Sequence, residues 1–172
     1  MRRWLLLLPL VALVALGALF AGYALNHDPK VNPDALVGRA APAVMLAPLD
    51  GGVPGPVRPQ GPGPYLVNFY ASWCGPCRIE HPALMALNAQ GVRIVGVAYK
   101  DKPEAARAFV EELGNPFTRI VLDPDGRAGV EYGVSGVPET YAVGADGRIL
   151  AKHTGPLTPE AAEALAARLD AR

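Results

Sequence analysis

The sequence predicts a mixed α/β domain, a central sheet with helices on both faces, preceded by an apolar N-terminal helix. Three observations lead there. Apolar runs of strand length alternate with segments of helical spacing from residue 65 to residue 122. A hairpin and one more helix then close the chain. Ahead of all this stand 22 positions without a charge, Trp4 to Leu25.

Composition bounds the functional classes. Of 172 residues, 51% are apolar, which suits a domain with a real core. Lys plus Arg equal Asp plus Glu at 16 each. Without Arg2 and Arg3 the balance is 14 against 16, a net charge of −2 on the remainder. No basic patch stands out, so no nucleic-acid partner is expected. Of the 19 glycines and 18 prolines, many lie in residues 51–64 and indicate long turns.

The N-terminal run is long for a signal peptide, whose apolar stretch is about 7–15 residues. It matches the roughly 20 a bilayer core requires. Arg2-Arg3 would stay cytoplasmic and send the rest across. Residues 1–25 are therefore read as an uncleaved anchor, with a signal peptide cut after Ala24 as the alternative. Either way the domain lies outside the cytoplasm, for a bacterial chain in the oxidising periplasm. Residues 26–40 read as a polar tether and 41–172 as the domain.

Within the domain, Ala41 to Leu49 is a weak extended segment, Asp50-Gly51-Gly52 a turn, and the five prolines of residues 53–64 a loop. Leu66 to Tyr70 is a buried strand. Cys74 to about Asn88 is a helix with an apolar stripe at Ile79, Leu84, Met85 and Leu87, kinked at Pro82. Val92 to Tyr99 and Thr118 to Leu122 are strands on either side of a helix from Pro103 to Leu113. Asp123 to Gly126 is a turn, and Ala128 to Tyr132 a short helix. Thr140 to Val143 and Arg148 to Lys152 form a hairpin around Ala145-Asp146-Gly147. Thr158 caps a final helix reaching about Leu169.

Chemistry concentrates at Cys74-Gly75-Pro76-Cys77, which holds the chain's two cysteines. Two thiols at this spacing can close a disulfide ring and reopen it. Cys74 would open the helix, where free N–H groups and the macrodipole favour a thiolate. Such settings bring a thiol from about 8.5 into the range of roughly 3.5–7.5. A purely structural bridge would constrain little of the unfolded chain, because its loop is so short. Haem attachment needs His after the second Cys, where Arg78 stands. No zinc set is completed around His81. The pair is thus read as a redox centre that needs no other cofactor and no metal.

Trp73-Cys-Gly-Pro-Cys77 after an apolar strand, with Gly136-Val137-Pro138 some sixty residues later, resembles the thioredoxin fold. A narrower likeness is also present. Tyr132 to Thr140, together with Ala71 to Pro82, is similar to the signatures of the membrane-anchored cytochrome c biogenesis thioredoxins, the CcmG/DsbE/HelX family. Residues 103–122 match the helix–strand insertion of that family, and the likeness spans about residues 35–172.

The resemblance implies a thioredoxin-like fold with an inserted helix–strand unit behind one transmembrane helix. It implies a protein disulfide reductase in which Cys74 attacks and Cys77 resolves. Gly75 and Pro76 shape the ring, and Pro138 is cis beside it. Trp73 covers the pair or packs in the core. Val137 offers backbone to a substrate strand. Asn68 stands where cytoplasmic thioredoxins usually carry a buried Asp, so Glu80 or Glu139 is expected to handle the Cys77 proton, unless both are surface carboxylates. His27, His81 and His153 read as surface groups.

The implied partners are apocytochrome c, or a thiol protein of its maturation pathway, and a CcdA- or DsbD-like reductant in the inner membrane. The expected place is a single-pass inner-membrane protein with its C-terminal domain in the periplasm. A general periplasmic thioredoxin-like reductase of another branch, and an apocytochrome or haem chaperone without turnover, remain as rival readings.

Overall fold

A computed structural model describes residues 7–26 and 36–170. The chain divides after Val31 into two compact units. The first contains α1 (Leu8–Asn26), 19 residues without a charge. Among the described residues no helix is long and apolar enough to cross a membrane. The expectation of a membrane-spanning helix is therefore not carried by α1 alone. Residues 4–6 of the apolar run, and residues 27–35 of the tether with His27, lie outside the described residues.

The second unit is built on a seven-stranded sheet in the order β2-β1-β5-β4-β3-β6-β7. Its strands are β1 (Met45–Pro48), β2 (Gly55–Pro56), β3 (Tyr65–Tyr70), β4 (Ile94–Tyr99), β5 (Arg119–Asp123), β6 (Glu139–Val143) and β7 (Ile149–Thr154). Parallel pairing joins β3 to β4 and β4 to β5. The crossovers that parallel strands require are α2 (Gly75–Ala89) and α3 (Pro103–Leu113). Antiparallel β6 and β7 complete one edge, followed by α5 (Pro159–Asp170). This is the mixed α/β arrangement the sequence implied. Two-residue β2, within the proline-rich loop, is an addition that no strand-length apolar run announces.

Central β3 is buried at all six positions, which is why it reads as an unbroken apolar run. Its side chains alternate between two cores. Leu66 and Tyr70 join Leu84, Leu87, Phe109 and Leu165 on one face. Val67 and Phe69 join Tyr132, Tyr141 and Val143 on the other, where α4 (Arg127–Tyr132) packs. Burying one such Leu or Phe contributes about 1.5–3 kcal/mol.

The expected stripe of α2 needs correction. Ile79 is 72% exposed, whereas Cys77, Glu80, His81, Leu84 and Leu87 are buried. Once Cys77 faces inward, positions three, four and seven residues on share its face, and Ile79 falls on the other side. The inward stripe therefore takes in two ionisable groups. The helix continues through Pro82. The described part of the tether is also engaged: Gly38 N–H donates to the Ile149 carbonyl, and Ala40 bridges Arg148.

Candidate active site

The strand-to-helix passage from β3 into α2 places the two sulfurs. Cys74 is the N-cap of α2, in extended backbone conformation, and its Sγ accepts the Cys77 N–H at 3.1 Å. Pro76 sits in the first turn, where its missing N–H costs nothing. Cys74 and Cys77 are joined in a disulfide, so this is the oxidised form. Around the bridge, Gly75 and Pro76 are exposed while both cysteines are nearly covered. Trp73 is 61% exposed, which rules out plain core packing. Its indole Nε1–H donates to the Lys100 carbonyl at 3.2 Å.

The Val137–Pro138 peptide bond is cis, as the resemblance implied. The Val137 carbonyl oxygen lies 3.6 Å from Cys74 Sγ. Side chains 72 positions apart in the chain also join β3 to β6: Asn68 Nδ2 donates to Thr140 Oγ1 at 3.0 Å.

Neither candidate carboxylate is at the surface: Glu80 and Glu139 are both fully buried. Glu80 lies one turn beyond Cys77 on the same helix face. Its oxygens accept Asn68 Nδ2–H at 2.8 Å and Leu157 N–H at 2.9 Å. Burial pushes its pKa up to about 7, against the opposing pull of those two hydrogen bonds. Asn68 Oδ1 is buried and has no hydrogen-bond partner.

Glu139 has a different setting. It pairs with Lys152 Nζ at 2.9 Å, both side chains being 0% exposed. It also accepts the Tyr141 hydroxyl at 2.9 Å, the Ser135 N–H at 3.0 Å and the Ser135 hydroxyl. Burial, and then the Glu139 carboxylate beside it, raises the Tyr141 pKa far above the usual phenol range. This network fastens the Ser135–Val137 loop to the sheet.

His81 is not a surface group. It is 3% exposed, its Nε2 lies 2.9 Å from the Gly114 carbonyl, and its ring meets Phe109 edge-on. Burial lowers its pKa below the usual imidazole value. His153 lies at the half-exposed end of β7. Ser135, Tyr141 and Lys152 escaped sequence reading, since each belongs to a strand or loop pattern that looks ordinary until the chain folds. Among the described residues no group of three or more His, Cys, Asp or Glu side chains is placed to hold a metal ion.

A disulfide at the head of a helix, beside a cis-proline loop on a mixed sheet, defines a thioredoxin-like thiol–disulfide oxidoreductase. Residues 37–168 match the Redoxin family, and the chain belongs to it. It belongs there with the HelX and DsbE thiol:disulfide interchange proteins. It is 46% identical to thiol:disulfide interchange protein HelX of Rhodobacter capsulatus over 163 residues, covering 93% of this chain and 92% of that one. To thiol:disulfide interchange protein DsbE of Escherichia coli it is 40% identical over 168 residues, covering 92% and 89% respectively. Among solved structures, a secreted Mycobacterium tuberculosis disulfide oxidoreductase homologous to E. coli DsbE superimposes with a TM-score of 0.61. That match is at 26% identity and covers 76% of this chain and 96% of the other.

Proposed function

We propose that this thiol–disulfide interchange protein works as a reductant in cytochrome c maturation, with Cys74 as nucleophile and Cys77 as resolving thiol. The observation that carries the assignment of roles is the position of Cys74 as N-cap of α2, beside the Val137 carbonyl. In the reduced protein, the Cys74 thiolate attacks one sulfur of a substrate disulfide. A Cys74–substrate disulfide forms, and the first substrate thiolate leaves and takes up a proton. Cys77 then gives its proton to Glu80 and attacks Cys74 Sγ. The second substrate thiolate leaves, the substrate gains two electrons, and the Cys74–Cys77 bridge remains.

Glu80 suits the acceptor role because a carboxyl poised near 7 can take and return a proton at neutral pH. Glu139, spent on Lys152, Tyr141 and Ser135, holds the substrate-facing loop instead. Trp73, Gly75, Pro76, Val137 and Pro138 form the rim that a substrate strand would meet, with Val137 pairing by backbone. No metal or bound cofactor enters the cycle.

The substrate is apocytochrome c, or a thiol protein of its maturation pathway, and a CcdA- or DsbD-like membrane protein restores the dithiol. This specificity rests on the resemblance at Tyr132–Thr140 and on the kinship with HelX and DsbE. The uncharged stretch Trp4–Leu25, with Arg2-Arg3 before it, is read as an inner-membrane anchor that leaves the domain in the periplasm. A Cys77→Ser chain expressed in cells tests the reading. The expected result is a disulfide-linked adduct with apocytochrome c or a maturation thiol protein on a non-reducing gel. Adducts spread over unrelated exported proteins would favour a general reductase, and full maturation by Cys77→Ser would favour a chaperone.

A further inference from the structure

The segment that leads into Cys74 is clasped by a residue nearly thirty positions further along the chain. Asp101, between β4 and α3, is 8% exposed although it carries a carboxylate. Its two oxygens accept three hydrogen bonds: Ser72 N–H at 2.6 Å, Ser72 Oγ–H at 2.9 Å and Lys102 N–H at 2.8 Å. The preceding carbonyl, that of Lys100, holds the Trp73 indole. Lys100 itself is left-handed at φ 48°, a conformation that costs a non-glycine residue energy. Its N–H is fixed to the Asp123 carbonyl at 2.9 Å, and Asp123 in turn caps α4 through Ala128 and Gly129. Two residues immediately before the sulfur are thus tied to a loop nearly thirty residues away, at the mouth of the inserted helix–strand unit.

We propose that Asp101 is a positioning residue for thiol exchange: it fixes Ser72, and with Lys100 it sets Trp73, so that Cys74 is held in its N-cap geometry. This rests on Cys74 being the exchanging thiol. A misplacement of about 1 Å in a reacting group can cost roughly a hundredfold in rate. The structural unit at residues 103–122 then has a task in the reaction, because it begins at the clasp.

The test uses the reduced full chain with Asp101→Asn and, separately, Ser72→Ala. Asn keeps the volume but turns an NH2 group toward an N–H donor, breaking one side of the clasp. Loss of the negative charge by itself would favour the Cys74 thiolate and move its titration down. Loss of the cap geometry moves it up, so the two causes differ in sign. The expected result is an upward shift of the Cys74 titration, read by thiolate absorbance, and exchange with an aromatic disulfide slowed about tenfold or more. Ser72→Ala, which changes no charge, should show the same direction to a smaller extent and serves alone if Asp101→Asn does not fold. A downward shift, or wild-type titration and rate in the variants, overturns the proposal. Failure of the wild-type chain to exchange at Cys74 would instead overturn the reading beneath it.

Discussion

Glu80 and Glu139 sit on opposite faces of the same sheet. Glu80 is held by Asn68, whose amide also reaches Thr140. Glu139 precedes Thr140 on β6 and so points to the other side, where Tyr141 and Lys152 meet it. Two carboxylates that look equivalent along the chain are therefore a buried acid one helical turn past Cys77 and the hub of a loop clamp.

This separation predicts a pH signature for Glu80. Its folded pKa, about 7, lies above the ordinary 4.5, so the folded state binds the proton more tightly. The stabilisation is full below about 4.5 and is lost as pH rises through about 7, amounting to about 3 kcal/mol at most. His81 acts with the opposite sign: its lowered pKa makes stability fall as pH drops below about 6.5. Urea unfolding of the oxidised protein from pH 4.5 to 8 should show wild-type stability falling relative to Glu80→Gln, with most of the fall between about pH 4.5 and 7 and little change above. A decline that survives the substitution would remove Glu80 as its cause.

Glu80→Gln should lower the apparent pKa of the resolving thiol, because a neighbouring negative charge is removed, yet slow release from the mixed disulfide, because the proton acceptor is lost, with attack by Cys74 little changed. General acid–base assistance typically contributes about 10²–10⁴-fold. Stopped-flow measurement of the two steps with one peptide disulfide separates them, and equal slowing of both would contradict the assignment.

At the clamp, Lys152→Met leaves the Glu139 charge buried without its cation. Breaking a buried pair in this way costs about 3–5 kcal/mol. Combining it with Glu139→Gln should recover much of that loss, since no bare charge remains. Denaturant midpoints of the single and double variants check the coupling; strictly additive losses would mean the pair contributes no interaction.

Trp73→Ala should leave stability within about 0.5 kcal/mol, because the ring is mostly exposed. The same change should raise KM for a protein disulfide more than for a small aromatic one, as expected of a rim that touches the substrate chain. Equal effects on both substrates would place Trp73 in the chemistry of the sulfurs instead.

Much of this architecture was legible along the chain because its signals are local. The β3 run, Pro103 opening α3, the Gly147 turn and Thr158 as a cap each act through neighbours a few residues away. The same holds for Cys74 at the head of α2, since a helix cap is set by the next three residues. Hydrophobicity along the chain does not say which face of α2 turns inward; the sheet and α3 decide that, leaving Ile79 exposed and His81 buried.

The redox pair, its helix and the strands of the sheet can be read along the chain, because backbone propensity and apolar periodicity are short-range. Long-range packing alone sets Glu80 against Asn68 on the inner face of α2, has Glu139 brace a loop with Lys152, and lets Asp101 grip Ser72. Burial and hydrogen-bond partnership depend on groups far apart in the chain, and those two properties, not residue type, set what a carboxylate can do.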